Sequence, residues 1–184
     1  RTTGDRITDV PLAMIGDKGL FTKEIDRAIL DGAVDLAVHS LKDVPTELPA
    51  GLDLGAILER EDPRDLLLAA DPDAAGLHRL PSGARVGTSS LRRRAQLLHA
   101  RPDLRVEDLR GNLDTRLARL AERRFDAVIL ALAGVRRLGR DAEAPGEILD
   151  APDWLPAAGQ GALAIAIRRS EEHTSELQSP DHLV

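Results

Sequence analysis

A group of polar residues that could do chemistry follows a short apolar run near the start of the chain. Residues 33–38 are mostly apolar, and the run has the length of a strand buried on both faces. Pro45 has no N–H and favours extended geometry in the residue before it, so regular structure is expected to end there. Ser40, Lys42 and Asp43 would then leave the carboxyl end of a buried strand, where open α/β sheets bind ligands. The pattern predicts an Asp43 carboxylate aimed at a ligand, and the alternative is that Asp43 and Ser40 only close a turn.

A second group combines hydroxyls with arginines at the start of a predicted helix. Residues 84–87 are expected to form a strand and residues 91–100 a helix. The start of a helix has free N–H donors and a positive partial charge, so a bound anion would relieve its conflict with nearby arginines. The alternative is an ordinary hydroxyl cap with the arginines in solvent. The candidate residues here are Thr88, Ser89, Ser90, Arg92 and Arg93.

The same arrangement recurs after the next two predicted strands. Arg110 precedes a Gly-Asn pair that opens a helix, Arg116 lies one turn into that helix, and Arg137 follows the third strand. Residues 92–137 contain twelve arginines against six acidic residues. Arginine suits planar, bidentate recognition of carboxylate or phosphate, so the predicted ligand carries several negative groups.

Composition removes several other classes of function. The chain has 184 residues and no cysteine, which excludes a disulfide, a thiolate metal site and a cysteine nucleophile. Aromatic residues make up only 2% of the chain, so the stacking typical of DNA or RNA sites is not supported. No apolar run approaches the roughly 20 residues that span a bilayer. The Gly-x-x-x-x-Gly-Lys-Ser/Thr phosphate loop is also missing.

Alternation of predicted strands and helices indicates an α/β protein with mainly parallel, doubly wound sheets. Residues 59–64 are charged, contain a proline and are expected to link two domains. Residues 145–156 are expected to be a loop. The predicted helices are 20–30, 91–100, 111–123 and 131–138, and the predicted strands are 33–38, 52–58, 65–70, 84–87, 104–109, 126–130 and 162–167.

Several long motifs, in order, resemble the porphobilinogen deaminase (hydroxymethylbilane synthase) family over about residues 1–168. They are Lys-Gly-Leu-Phe at 18–21, His-Ser-Leu-Lys-Asp-Val-Pro at 39–45, Glu-Arg-Glu-Asp-Pro-Arg-Asp at 59–65, Gly-Thr-Ser-Ser-Leu-Arg-Arg at 87–93, Leu-Arg-Gly-Asn at 109–112 and Gly-Gln-Gly-Ala at 159–162. The resemblance implies two lobes like those of type II periplasmic binding proteins, with a cleft between them. Domain 1 would be 1–59 plus 162–168, and domain 2 would be 64–155. The family's third, α+β domain would be missing, and 169–184 would be a non-native tail.

The family reaction joins four porphobilinogens into the linear tetrapyrrole hydroxymethylbilane and releases ammonia, a step of haem biosynthesis. A dipyrromethane cofactor is held in the family through a cysteine thioether. Because this chain has no cysteine, the fragment itself is expected to be inactive. The alternative reading is a two-domain receptor that binds small anions without catalysis.

By the same resemblance, Asp43 matches the catalytic aspartate, which would hold pyrrole N–H groups and stabilise the developing cation. Lys42 matches a cofactor contact, and Lys18 matches a lysine on a loop near the active site. The resemblance also implies a cytoplasmic monomer with no metal, nucleic acid or membrane partner. The positions that match binders of the acetate and propionate groups are Ser40, Thr88, Ser89, Ser90, Arg92, Arg93, Arg110, Arg116 and Arg137.

Overall fold

The computed structural model describes residues 23–140 and 146–169, which fall into two compact units. Unit 1 holds residues 23–60 and 162–169, and unit 2 holds residues 61–140 and 146–161. The chain therefore enters unit 2 after Arg60 and leaves it after Gly161. The predictions for Lys18 and for the tail beyond 169 lie outside the described residues.

Four helices and eight strands are assigned within these ranges. The helices are α1 (Lys23–Leu30), α2 (Leu91–Ala100), α3 (Leu113–Ala121) and α4 (Leu132–Arg137). The strands are β1 (Leu36–Ser40), β2 (Leu52–Ile57), β3 (Asp65–Ala69), β4 (Arg85–Gly87), β5 (Arg105–Glu107), β6 (Ala127–Ala131), β7 (Glu147–Leu149) and β8 (Leu163–Arg168). Two 3₁₀ turns, Leu41–Asp43 and Pro72–Ala74, complete the regular structure.

Unit 1 is built on a three-stranded antiparallel sheet in the order β1-β8-β2. Helix α1 packs on one face of this sheet, where Ile29 meets Ala37, Leu52 and Ala166. The small alanines on β1 and β8 let the helix lie close to the sheet.

The expectation that β1 is buried on both faces is wrong. Ala37 is buried, but its neighbours Leu36 and Val38 are 51% and 56% exposed. Successive side chains of a strand point to opposite faces, and α1 covers only the Ala37 face. The strand also begins later than expected, because the N–H groups of Ala33 and Val34 donate to the Ala28 carbonyl at the end of α1.

Unit 2 has a five-stranded mixed sheet in the order β5-β4-β6-β3-β7. Strand β4 is parallel to β5 and β6, whereas β3 is antiparallel to both β6 and β7. Since β6 and β7 are both antiparallel to β3, β7 runs in the same direction as β4, β5 and β6, and only β3 runs the opposite way. The expectation of a mainly parallel sheet is therefore confirmed for unit 2. Strand β3 comes directly after the entry into unit 2, so it is not reached through a strand–helix–strand crossover within this sheet, whereas α4 lies between the co-directional strands β6 and β7. Strand β7 also occupies part of the stretch expected to be a loop.

Both faces of the unit 2 sheet are covered, as the continuous apolar runs of β3 and β6 predict. On one face Leu67 and Ile129 pack with Leu97 of α2 and with Trp154. On the opposite face, residues of the same strands pack with Leu120 of α3. The buried runs of β3 and β6 thus confirm the sequence pattern. Helices α2, α3 and α4 follow the strands β4, β5 and β6 of the same sheet.

Candidate functional site

Asp43 lies in the 3₁₀ turn Leu41–Asp43, immediately after β1. Main-chain bonds hold this turn: the Val44 N–H donates to the Leu41 carbonyl at 3.2 Å, and the Leu41 N–H donates to the Ala162 carbonyl at 3.0 Å. Ser40 flanks the turn without a side-chain cap, and Asp43 makes no hydrogen bond or ion pair to any residue between 23 and 140 or 146 and 169. Ser40, Lys42 and Asp43 are all exposed. The turn therefore does not need the Asp43 carboxylate to close it.

The three residues with hydroxyl side chains at the start of α2 have different roles, and only one of them caps the helix. Ser90 is the N-cap, and its Oγ accepts from the Arg93 N–H at 3.4 Å. Buried Thr88 accepts from the Ser90 N–H through Oγ1 at 3.2 Å. Ser89 Oγ is buried and has no hydrogen-bond partner among the described residues. One hydroxyl thus suffices for the cap, and the Ser89 hydroxyl remains for other use.

The two arginines of the first turn of α2 share one buried carboxylate. Arg93 Nη2 donates to Asp65 Oδ1 at 2.7 Å, and Arg92 Nη2 donates to Asp65 Oδ2 at 2.7 Å. A main-chain carbonyl holds the other end of each guanidinium: Arg93 Nη1 donates to Ile129 O at 3.0 Å, and Arg92 Nη1 donates to Leu155 O. Both guanidinium groups are fixed at two points, and the Arg93 side chain is only 6% exposed.

Asp65 accepts two further bonds, from Trp154 Nε1 at 2.8 Å and from Gln160 Nε2 at 2.8 Å. Its complete burial would raise the pKa of Asp65, and the charge and hydrogen bond of Arg93 are the largest of the opposing effects that together outweigh it. Hydrogen bonds from Trp154 and Arg92 lower the pKa further, to about 2. We call Asp65 with its four donors Arg92, Arg93, Trp154 and Gln160 the Asp65 hub. The hub was not predicted from the sequence, although a charged residue at the start of a fully buried strand is a usable signal.

The Arg110 and Arg116 group lies at the start of α3. Asn112 is the N-cap and accepts from the Thr115 N–H at 2.9 Å and from Thr115 Oγ1 at 2.8 Å. Arg116 Nε turns back to the Gly111 carbonyl at 2.8 Å. Arg110 and Arg116 are partly buried, so both belong to this capping turn as much as to any ligand surface.

Gly111→Ala is expected to destabilise unit 2. Gly111 has a φ of 111°, and an added Cβ would lie 2.7 Å from Thr115 Cγ2. Strain and clash together should lower the unfolding free energy by about 1–3 kcal/mol, which denaturant titration would measure. Gly83→Ala is the matched control, because Gly83 has a φ of 76° with no atom within 4 Å of the added Cβ. Equal losses in the two variants would show that the contact with Thr115 adds nothing.

Arg137 lies apart from these groups, where the chain enters and leaves unit 2. Its Nη2 donates to the Gly161 carbonyl at 2.6 Å. The neighbouring Arg136 pairs with Glu61 at 3.1 Å and with Asp62 at 3.3 Å. The Glu61 N–H in turn donates to the Gly161 carbonyl at 3.0 Å. The C-terminal end of α4 therefore ties the entering and leaving segments together.

Asp62 strengthens this junction. Arg64 donates to its carboxylate through Nη2 at 2.6 Å and Nε at 2.9 Å. That side-chain hydrogen bonding is the largest influence on the pKa of Asp62 and outweighs burial, which would raise it. The Arg64 N–H and the charges of Arg64 and Arg136 lower the pKa further, to about 2. Asp62 is thus held as an anion between two arginines.

The structure brings the predicted residues into four places. Ser40, Lys42 and Asp43 are in unit 1. Unit 2 holds the α2 group, the α3 group and the junction at Arg137 separately. A cavity of about 740 Å³ in unit 2, lined by Leu68, Leu117 and Ala118 among others, includes none of the predicted site residues. Its lining is largely apolar and does not match a ligand with several carboxylates.

The described residues form neither a metal site nor a membrane-spanning helix. They contain no group of three or more histidine, aspartate and glutamate side chains placed to hold a metal ion. They also contain no helix with the length and hydropathy needed to cross a membrane.

Comparison with known families decides the class of protein. Residues 1–176 match the model described as "Porphobilinogen deaminase, dipyromethane cofactor binding domain". The chain belongs to the porphobilinogen deaminase family. It is 58% identical over 177 residues to a porphobilinogen deaminase of Nitratidesulfovibrio vulgaris (strain DSM 19637 / Miyazaki F), covering 96% of the chain and 55% of the relative. The corresponding enzyme of Moorella thermoacetica is 55% identical over 177 residues, with 96% and 56% covered.

The chain thus spans about half the length of the curated relatives it matches. Membership of the porphobilinogen deaminase family favours the transferase reading over the receptor alternative.

Solved structures support the α/β fold class. The periplasmic VFT2 domain of Bordetella pertussis BvgS aligns with a TM-score of 0.50 at 18% identity, over 88% of this chain and 69% of that domain. A binding lipoprotein of Bacillus subtilis aligns with a TM-score of 0.51 at 16% identity, over 86% and 76%. At this identity the likeness concerns the fold alone, and it confirms the expected resemblance to type II periplasmic binding proteins.

Proposed function

We propose that this chain is part of an enzyme that condenses porphobilinogen into hydroxymethylbilane with release of ammonia. Family membership supports the reaction class. The observation that carries the proposal for this chain is the Asp43 carboxylate, which is exposed and makes no contact that its own turn requires. Carboxylates without a structural use are available to stabilise positive charge that develops during a reaction.

The proposed role of Asp43 follows from that chemistry. Loss of ammonia from an aminomethylpyrrole leaves positive charge on the pyrrole, and the Asp43 carboxylate would stabilise that charge while accepting the pyrrole N–H. Lys42, next to Asp43 in the same turn, is proposed as a contact to the cofactor carboxylates. Lys18 is proposed near the active site, and it lies outside the described residues.

Buried donors at the start of α2 fit the acidic side chains of a dipyrromethane cofactor. Ser89 Oγ, Arg92 Nε and Arg93 Nε are all buried, and none has a hydrogen-bond partner in the described part of the chain. Buried donors of this kind are expected to have an acceptor, and carboxylates are strong acceptors for arginine. When bound, dipyrromethane would supply the pyrrole end to which new units are added. The chain contains no cysteine to attach it covalently.

Carboxylate binding is proposed for the hydroxyls and arginines of unit 2 together with Ser40 of unit 1. Arg92 and Arg93 would act with Ser89 through the donors that the Asp65 hub leaves unused. Arg137 would bind a carboxylate at the point where the chain enters and leaves unit 2, beside its hydrogen bond to the Gly161 carbonyl. Thr88, Ser90, Arg110 and Arg116 complete the proposed set. We also propose that the enzyme is a cytoplasmic monomer that acts without nucleic acid or membrane.

A chimera tests the proposed activity. Residues 1–168 would replace the matched segment of the Nitratidesulfovibrio vulgaris enzyme, which supplies the remaining parts of a full-length protein. The chimera is expected to form hydroxymethylbilane and ammonia from porphobilinogen, with the unmodified relative as the control. A folded chimera without product would refute the proposal.

The 184-residue chain alone is expected to form no hydroxymethylbilane, because it has no thiol to hold the cofactor. The measurement is a product assay on the purified chain beside the chimera. Product formed by the purified chain would contradict the stated requirement for covalent attachment.

A further inference from the structure

The Asp65 hub connects the sheet of unit 2 to the arginines proposed to bind carboxylates. Asp65 is the first residue of β3, which pairs with β6 and β7 and is buried on both faces. Arg92 and Arg93 lie in the first turn of α2. The link between strand and helix is ionic, at 2.7 Å on each side, and Asp65 itself is fully buried.

The hub leaves a defined part of each guanidinium unused. Each Nη2 is bound to Asp65, and each Nη1 is bound to a main-chain carbonyl. Each Nε–H is buried without a partner among the described residues. Because an arginine fork recognises carboxylate by a fixed geometry, clamping both Nη atoms also fixes the direction in which Nε–H points.

Trp154 and Gln160 fix the carboxylate in turn. Trp154 Nε1 shares Oδ2 with Arg92, and Gln160 Nε2 shares Oδ1 with Arg93. Gln160 also donates to the Pro63 carbonyl at 2.6 Å, close to the point of entry into unit 2. Two neutral donors thus prevent Asp65 from rotating toward either arginine.

We infer that Asp65 is a positioning residue that orients Arg92 and Arg93 for the carboxylates of the substrate or cofactor. This inference rests on the proposed function. Asp65 itself touches no ligand, since it is enclosed by its four donors. Its contribution is to remove the rotational freedom of two long side chains before the ligand arrives, which lowers the entropic cost of binding.

The first test uses the 184-residue chain and porphobilinogen, with binding measured by calorimetry. Asp65→Asn keeps the size of the side chain but loses its charge and turns one acceptor into a donor facing an arginine. The variant is expected to bind porphobilinogen about tenfold more weakly. Asp103→Asn is the matched control, because Asp103 also pairs with an arginine and has a pKa of about 2, lowered chiefly by the Arg101 hydrogen bond. Asp103 lies outside the hub, and its variant is expected to bind like the wild type.

A spectroscopic readout separates positioning from a purely structural role. Trp154 is the only tryptophan of the chain, and its indole donates to Asp65. Porphobilinogen is expected to shift Trp154 emission in the wild type, because ligand carboxylates act on arginines that share the same acceptor. The shift should be lost in a folded Asp65→Asn variant, with folding verified by circular dichroism.

Trp154→Phe is the second variant, in case Asp65→Asn fails to fold. It keeps both ion pairs and most of the aromatic packing but removes one of the bonds that stop Asp65 from rotating. Affinity is expected to fall about threefold.

Unchanged affinity in both variants, or a loss of thermal stability alone, would overturn the inference. So would a wild-type chain that fails to bind porphobilinogen. The chimera assay judges the proposed function separately: an active chimera with unaffected hub variants refutes only the role of Asp65. If the chimera is inactive but the hub variants bind porphobilinogen more weakly than the wild type, only the proposed reaction is refuted.

Discussion

Asp43→Asn in the full-length chimera is expected to lower turnover of porphobilinogen by roughly 10²- to 10³-fold, the usual cost of losing one group that stabilises charge developing in the transition state. Asparagine retains the size of the side chain and can still accept a hydrogen bond, but it carries no charge to stabilise a cation. The turn itself should survive, because it is closed by main-chain bonds of Val44 and Leu41. The measurement is the steady-state rate together with a thermal unfolding curve.

Asp31→Asn is the control for loss of one negative charge in the same unit. Asp31 is exposed and pairs with Arg27 at 3.0 Å on the surface of α1. This variant should retain wild-type turnover, since a solvated pair of this kind contributes little. Normal turnover in Asp43→Asn would remove the catalytic assignment, and equal losses in both variants would reduce it to an effect of net charge.

Much of the fold of unit 2 can be predicted from the sequence, because its strands, helices and caps depend mainly on residues close together in the chain. The apolar runs of β3 and β6 are buried on both faces, and α2 has the predicted bounds. The cap at Ser90 follows from its position before that helix. These features depend on neighbouring residues only, so periodicity and capping chemistry are sufficient to predict them.

The errors concern features set by distant parts of the chain. The sequence did not show that β3 is the one reversed strand of a mainly parallel sheet, which depends on where the chain enters unit 2. The exposed face of β1 depends on which side α1 covers. Residue types in a short window carry neither piece of information. Short β7 was missed because three residues are too few to show a period.

In the candidate site too, features set by nearby residues could be predicted, whereas features set by distant residues could not. Arginine and hydroxyl positions at helix starts can be predicted from spacing. The Asp65 hub cannot, because Trp154 and Gln160 are 89 and 95 residues away from Asp65 in sequence. Arg93 also illustrates a limit of motif reading, since an arginine predicted to bind a ligand is mostly enclosed by its own protein. Only the tertiary structure shows which of its N–H groups are already used.

Asp65→Ala in the 184-residue chain is expected to have a large effect on stability. Removal of the carboxylate leaves the Arg93 guanidinium buried with the Ile129 carbonyl as its remaining acceptor, and it leaves Trp154 Nε1 without its acceptor. Breaking a buried ion pair from one side costs about 3–5 kcal/mol, because the remaining charge is uncompensated. Denaturant unfolding would measure this loss. Asp103→Ala should cost far less, since the Asp103 side chain is 35% exposed and Arg101 keeps the Leu77 and Leu80 carbonyls as acceptors.

The dependence of stability on pH gives the same prediction an independent check. The pKa of Asp65 is about 2 in the folded chain and 3.8 when unperturbed, so the unfolded state binds the proton first. Its contribution is therefore complete above about pH 4 and is lost as pH falls toward 2, where protonation removes the charge that Arg93 and Arg92 need. The wild type should lose stability steeply across this window, and Asp65→Ala should lose less, with the remaining slope due to carboxylates such as Asp62. Parallel pH profiles for the two proteins would mean that Asp65 does not hold these arginines as an anion.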